Sequence, residues 1–174
     1  MTLKSAQKLA KQMMRKHKVN HVFDFSFMDS KTAFGICYPA PDYLIQLSVP
    51  YVRLNGKKAV LDTILHEIAH AIDILKRGYT KHDKAWKAIC DEIGCSNKTT
   101  FDAVEDNVIM PLASYVVICQ KCGYCEPKYR KPSKKPSVCN GCGYNNGLYK
   151  LIKQLQLTKH LKRSITYVSQ RHKN

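Results

Sequence analysis

His66-Glu67-Ile68-Ala69-His70 sets two histidines four positions apart, with a glutamate directly after the first. On an α-helix, residues four apart share one face, so both imidazoles can reach a single metal ion. Glu67 then lies at the edge of that face, close enough to take a proton from water held at the metal. A zinc with three protein ligands and one open position is hydrolytic, whereas a structural zinc is closed by four. The spacing therefore points to a hydrolytic centre with Glu67 as its base, against the plainer reading of two incidental surface histidines.

The flanks support a helix. Residues 58–76 carry Leu61, Ile64, Leu65, Ile68, Ile72 and Leu75 at helical spacing, uninterrupted by Pro or Gly. Lys76-Arg77 gives a basic last turn, and Gly78 a stop. Upstream, residues 3–18 predict an amphipathic helix. Leu3, Ala6, Ala10, Met13 and Met14 form its core side, and Lys4, Lys8, Lys11, Arg15 and Lys18 form a solvated or phosphate-facing stripe. Phe23, Phe25 and Phe27 alternate with polar residues as in a half-buried strand. Residues 35–38 and 43–49 are two further strand candidates, joined by the turn Pro39-Ala40-Pro41-Asp42. A second helix is expected from an Asp83 N-cap to Ile93, with Trp86, Ile89, Cys90 and Ile93 inward and Gly94 after it. Residues 95–112 read as a polar, irregular connector.

Two histidines do not complete the site. Asp73 lies one turn past His70, where a carboxylate more naturally steadies a ligand imidazole from behind. Asp91 and Glu92 follow at a distance where some zinc hydrolases take a carboxylate. His82, in the loop before the next helix, is the preferred third ligand, although a loop histidine is as often simply exposed. No Gly-x-x-His follows His70, which excludes the longer three-histidine motif.

Cys119-x-x-Cys122 and Cys139-x-x-Cys142, each pair followed by glycine, have the spacing of a four-thiolate zinc site. Four thiolates exclude water, so this second zinc would be structural, supplying folding energy to a short polar segment. Cys125 is an alternative to Cys122. Cys37, Cys90 and Cys95 sit in apolar settings and read as buried thiols.

The formal charge of +16 is unevenly distributed. Residues 1–18 hold six Lys/Arg and residues 127–174 hold twelve, both without an acid, while residues 19–126 are close to neutral. Basic ends attract a polyanion, most commonly nucleic acid, with an acidic protein as the other candidate. Lys128, Arg130, Lys131, Lys134 and Lys135, with Tyr129 among them, form a basic loop between the cysteine pairs that could contact phosphates and stack on a base. After it, Leu151, Ile152, Leu155, Leu157 and Leu161 suggest a short amphipathic helix, with Lys153, Lys159, Lys162 and Arg163 opposite. The chain contains no apolar run long enough for a membrane span and no signal-peptide core, so an intracellular protein is expected, cytoplasmic or associated with the nucleoid or nucleus.

These motifs resemble the SprT-like zinc metalloproteases. The likeness runs through Phe34-Gly35-Ile36-Cys37, Ile45-Gln46-Leu47-Ser48, Thr63 to Ala71 and His82-Asp83-Lys84-Ala85-Trp86, then into a zinc ribbon, over roughly residues 5–150. It implies an α+β, zincin-like core: an N-terminal helix, a three-stranded antiparallel sheet, the metal helix and a following helix. It also implies His82 as third ligand of the catalytic zinc beside His66 and His70. Asp83 departs from the family, which usually has glycine there. The expected organisation is a SprT-like domain at 1–112, a ribbon at 113–150 and a basic, partly helical tail at 151–174, taken as a monomer. By resemblance, the activity would be cleavage of DNA-bound proteins, with Glu67 activating zinc-bound water and DNA as partner. The rival is a nucleic-acid-binding regulatory zinc protein with little protease activity. Hydrolysis of a small ester or amide would leave the basic ends unexplained.

Overall fold

The computed structural model describes residues 1–98, 108–134, 138–143 and 149–153. The chain divides into two compact units, Met1–Pro111 and Leu112–Asn174. No described helix is long and apolar enough to cross a membrane.

The first unit runs α1 (Leu3–Lys16), β1 (Asp24–Met28), β2 (Gly35–Tyr38), β3 (Leu44–Ser48), α2 (Val49–Leu54), α3 (Lys57–Arg77) and α4 (Lys84–Ile93). The Thr2 hydroxyl accepts from the Ser5 N–H to start α1, and Arg15 and Lys16 lie at its negative end. Ala6, Ala10 and Met14 are buried, while Lys4, Lys8, Lys11 and Arg15 are exposed. Val19, Phe23, Ile45, Leu47, Val60, Ile64 and Ile68 join them in one core between α1, the sheet and α3.

The sheet order is β1-β3-β2, with β2 antiparallel to β3 but β1 parallel to it. This corrects the expected antiparallel sheet. Alternation marks which face of a strand is buried, and that pattern is the same for either direction of pairing.

Short α2 was not foreseen. Ser48 caps it by accepting from the Tyr51 N–H, and Pro50 fits its first turn. On α3 the buried residue of the last turn is Ile74, and Leu75, expected inward, is 43% exposed. Gly78 and Gly94, at φ +80 and +79, end α3 and α4 in the left-handed conformation that glycine adopts without strain. Within the expected connector, Val108 reaches the core, and the Asn55 side chain bonds both the N–H and the carbonyl of Ile109.

The second unit contains β4 (Tyr115–Cys119), β5 (Cys125–Lys128) and β6 (Tyr149–Lys153) in the antiparallel order β5-β4-β6. The helix expected from Leu151 is therefore corrected at its start: residues 149–153 are a strand that pairs along β4 from Cys119↔Tyr149 to Tyr115↔Lys153. A short apolar run fits either period, and the open edge of β4 supplies backbone partners that a helix would not use. Leu155, Leu157, Lys159, Leu161, Lys162 and Arg163 lie outside the described residues.

Candidate metal centres

Helix α3 presents His66 and His70 on one face, and the loop after Gly78 brings His82 to them. The His70 and His82 Nε2 atoms are 3.0 Å apart, and the His82 and His66 Nε2 atoms 3.3 Å apart. Zinc held tetrahedrally at its usual nitrogen distance separates its ligands by about 3.3 Å, so this donor set fits the metal. Fully buried Trp86 packs against all three imidazoles, with ring centroids 4.8, 5.0 and 4.5 Å from His66, His70 and His82. Thr80 Oγ1 lies 2.8 Å from His70 Nδ1. A proton on Nδ1 shared with that hydroxyl leaves the Nε2 lone pair facing the other histidines. His66 Nδ1 is buried without a protein partner.

Burial, then the neighbouring His82, pushes His66 down to about 4. Burial, then His66 and His82, takes His70 to about 3, and burial with nearby Lys87 lowers His82. All three imidazoles are thus neutral near pH 7, the form that binds metal. Glu67 is 5% exposed, and loss of solvent raises its carboxyl to about 8.

A guanidinium sets the loop. Arg77 donates to both Asp73 oxygens at 2.7 and 2.6 Å and to both Asp83 oxygens at 2.9 and 3.1 Å. Asp83 meanwhile accepts from the Ala85 and Trp86 N–H groups at the start of α4, and Arg77 above all holds its carboxyl down at about 2. The clamp ties the last turn of α3 to the first of α4, so Gly78–His82 must return over the metal face. Asp73 therefore grips Arg77, and the imidazole support expected of it comes from Thr80. Asp91 is exposed and accepts from Asn97, and neither it nor exposed Glu92 joins the histidine group. The Tyr79 ring lies under Arg77 at 4.6 Å and is 51% exposed.

In the second unit Cys119, Cys122, Cys139 and Cys142 form one group, and Cys125 is outside it. The Cys122 and Cys139 sulfurs are 3.6 Å apart, close to the roughly 3.8 Å of a tetrahedral zinc tetrathiolate. Each pair closes a tight turn: Gly123 donates to the Cys119 carbonyl and Gly143 to that of Cys139, both at positive φ. Burial opposes ionisation of Cys139, but N–H groups of Gly141 and Cys142 aimed at its sulfur bring it down to about 7. The Cys125 thiol donates to the Gly123 carbonyl instead.

Residues 3–106, which include all three histidines and Glu67, match the model of the SprT-like family. The chain belongs to the SprT-like family. Its curated relatives named "Protein SprT-like" include one from Staphylococcus saprophyticus, 33% identical over 89 residues, or 50% of this chain and 55% of that protein. Another, from Staphylococcus carnosus, is 30% identical over 110 residues, 63% of this chain and 70% of the relative. A Staphylococcus epidermidis relative is 26% identical over 117 residues, 66% and 72% of the two chains. The chain thus spans little more than half of the first relative's length.

Several contacts of this SprT-like protein had no sequence signal. Thr80 and Arg77 act through space across a loop, and Trp86, read as core, also lies against the three histidines. Gly141 leaves room for Tyr124, whose Cβ would be 2.7 Å from an added side chain. In the basic loop, Lys128 is half-buried and paired with Glu126, whereas Arg130, Lys131 and Lys134 are exposed. Lys135 lies outside the described residues.

Proposed function

We propose that this SprT-like protein is a zinc-dependent endopeptidase that cleaves proteins bound to DNA. One observation carries the reading: three neutral imidazoles converge on one another, and Glu67, next to His66 on α3, is a buried carboxyl that belongs to neither metal group. A purely structural site has no need of such a base. Zinc bound by His66, His70 and His82 would supply Lewis acidity toward a water molecule and a peptide carbonyl. Glu67 accepts the proton released as water attacks and returns it to the departing amine. Burial raises the proton affinity of the carboxylate and so strengthens it as the acceptor, while the positive charge of a bound zinc would favour its ionised form.

The DNA part rests on charge. Lys4, Lys8, Lys11 and Arg15 line one exposed face of α1, and none pairs with an acid among the described residues. At a rise of 1.5 Å per residue they lay four positive charges along about 16 Å of helix, a stripe that attracts a polyanion. Arg130, Lys131 and Lys134 add a second basic surface on the ribbon.

The test compares wild type with Glu67→Gln. Both should carry two zinc ions per chain, and only wild type should cleave a DNA-bound test protein, faster with DNA present. Equal cleavage by the two proteins removes Glu67 from the chemistry. A wild type that binds DNA with strong salt dependence yet never cleaves supports the regulatory reading instead.

A further inference from the structure

Gly35 is a glycine that its backbone does not require. It opens β2, a regular strand whose φ is not in the left-handed range, and it pairs with Leu47 of β3. Glycine weakens a strand interior, so its presence there usually marks a close approach. A Cβ at position 35 would stand 2.7 Å from both Glu67 Cγ and Glu67 Oε1, and 3.0 Å from Cδ. Ordinary carbon contacts begin near 3.5 Å, so side chain and carboxyl cannot share that space.

The neighbouring positions follow the same logic. Residues 35 and 37 share one face of β2, with large Leu47 and Ile45 as their partners on β3. On β2 that face carries only a hydrogen and a thiol. Burial, then the nearby Glu67 carboxyl, raises Cys37, which places its thiol beside the same group. Glu67 itself is 5% exposed and cannot swing out to solvent without leaving its place beside His66.

We infer that Gly35 is a positioning residue: its missing side chain creates the recess in which β2 holds the Glu67 carboxyl at the metal face. The inference deepens the hydrolase reading and rests on it for its effect on rate, while the recess itself is a matter of packing. Displacing a reacting group by about 1 Å is enough to slow an enzyme about a hundredfold.

The test uses the full-length protein. Gly35→Ala should retain two zinc ions and bind substrate with KM within about twofold, while kcat falls about a hundredfold. Its crystal structure should show the Glu67 carboxyl displaced. A second measurement needs no activity. Thermal stability is compared for wild type, Gly35→Ala, Glu67→Ala and the double variant. The added methyl collides in the presence of Glu67 and fills its vacated space in its absence. Gly35→Ala should therefore lower the melting temperature of wild type and raise that of Glu67→Ala. Equal effects in both backgrounds, or an unchanged kcat in Gly35→Ala, would overturn the inference. An inactive wild type would defeat the hydrolase reading alone, and the stability comparison would still decide the recess.

Discussion

The histidine and cysteine groups each suit one zinc ion, but they are built by opposite means. The cysteine site is local and closed: two tight turns, each ended by a glycine at positive φ, direct four sulfurs inward. The histidine site is assembled from a long helix and a loop, and it stops at three imidazoles, with the buried Glu67 next in sequence to one of them. In the first a bound metal would make the fold; in the second the fold makes the site. Trp86, Thr80 and the Arg77 clamp orient the imidazoles from a packed core that does not involve the metal.

That contrast predicts unequal damage. The largest effect should come from Cys119→Ser. Structural zinc contributes on the order of 10 kcal/mol to a small ribbon, so the variant should hold one zinc and lose hydrogen-exchange protection across Tyr115–Cys119. Protection in α3 should persist. Loss of protection in both units would break the comparison.

Next in size is His82→Ala, which removes a proposed ligand and should release the histidine-site zinc, lowering the melting temperature only by the loss of that binding while both units stay folded. Thr80→Val keeps every ligand and removes only the hydroxyl beside His70 Nδ1. A zinc competition assay should show a 10- to 100-fold weaker site, as is usual for groups that orient a ligand. An unchanged affinity would mean that the hydroxyl does not orient His70.

The buried base gives a pH signature in metal-free protein. Folded Glu67 keeps its proton up to about 8, whereas the unfolded chain loses it near 4.5. The folded state therefore binds more protons between those values, and stability falls as pH rises through that window. Glu67→Gln escapes this loss. Melting the chelated proteins should show the variant more stable by at least about 1 kcal/mol at pH 8.5 and no different at pH 4. A constant difference across pH would contradict the buried, proton-holding state.

The smallest effect is expected from Asp83→Gly. Glycine is itself a tolerated N-cap, and the solvent-accessible ion pair with Arg77 adds little. Melting temperature should fall by a few degrees at most, and zinc affinity by less than in Thr80→Val.

These differences also mark what the sequence could convey. His66, Glu67 and His70 were legible because one helix relates them through a fixed period. His82 was open to competition from Asp73, Asp91 and Glu92, since spacing does not say how a loop returns. Arg77 settles that by gripping Asp73 and Asp83 together, a contact between residues whose charges alone named no partner. The four cysteines were legible for the same local reason as the helix pair. Strand direction was not, because β1 alternates identically whether it pairs parallel or antiparallel. The strand at Tyr149–Lys153 was misread because five residues are too few to separate a period of two from one of 3.6. Gly35 carries no sequence signal of its own; its meaning depends on the carboxyl packed against it from another element.

The proposed division of labour, one centre for chemistry and the other for structure, is open to direct test. Graded chelation, followed by native mass spectrometry alongside cleavage of a DNA-bound protein, tests it most directly. The first zinc to leave should take all cleavage with it while both units remain folded, and removal of the second should unfold the ribbon. Cleavage that survives the first loss and disappears only as the ribbon unfolds would contradict it.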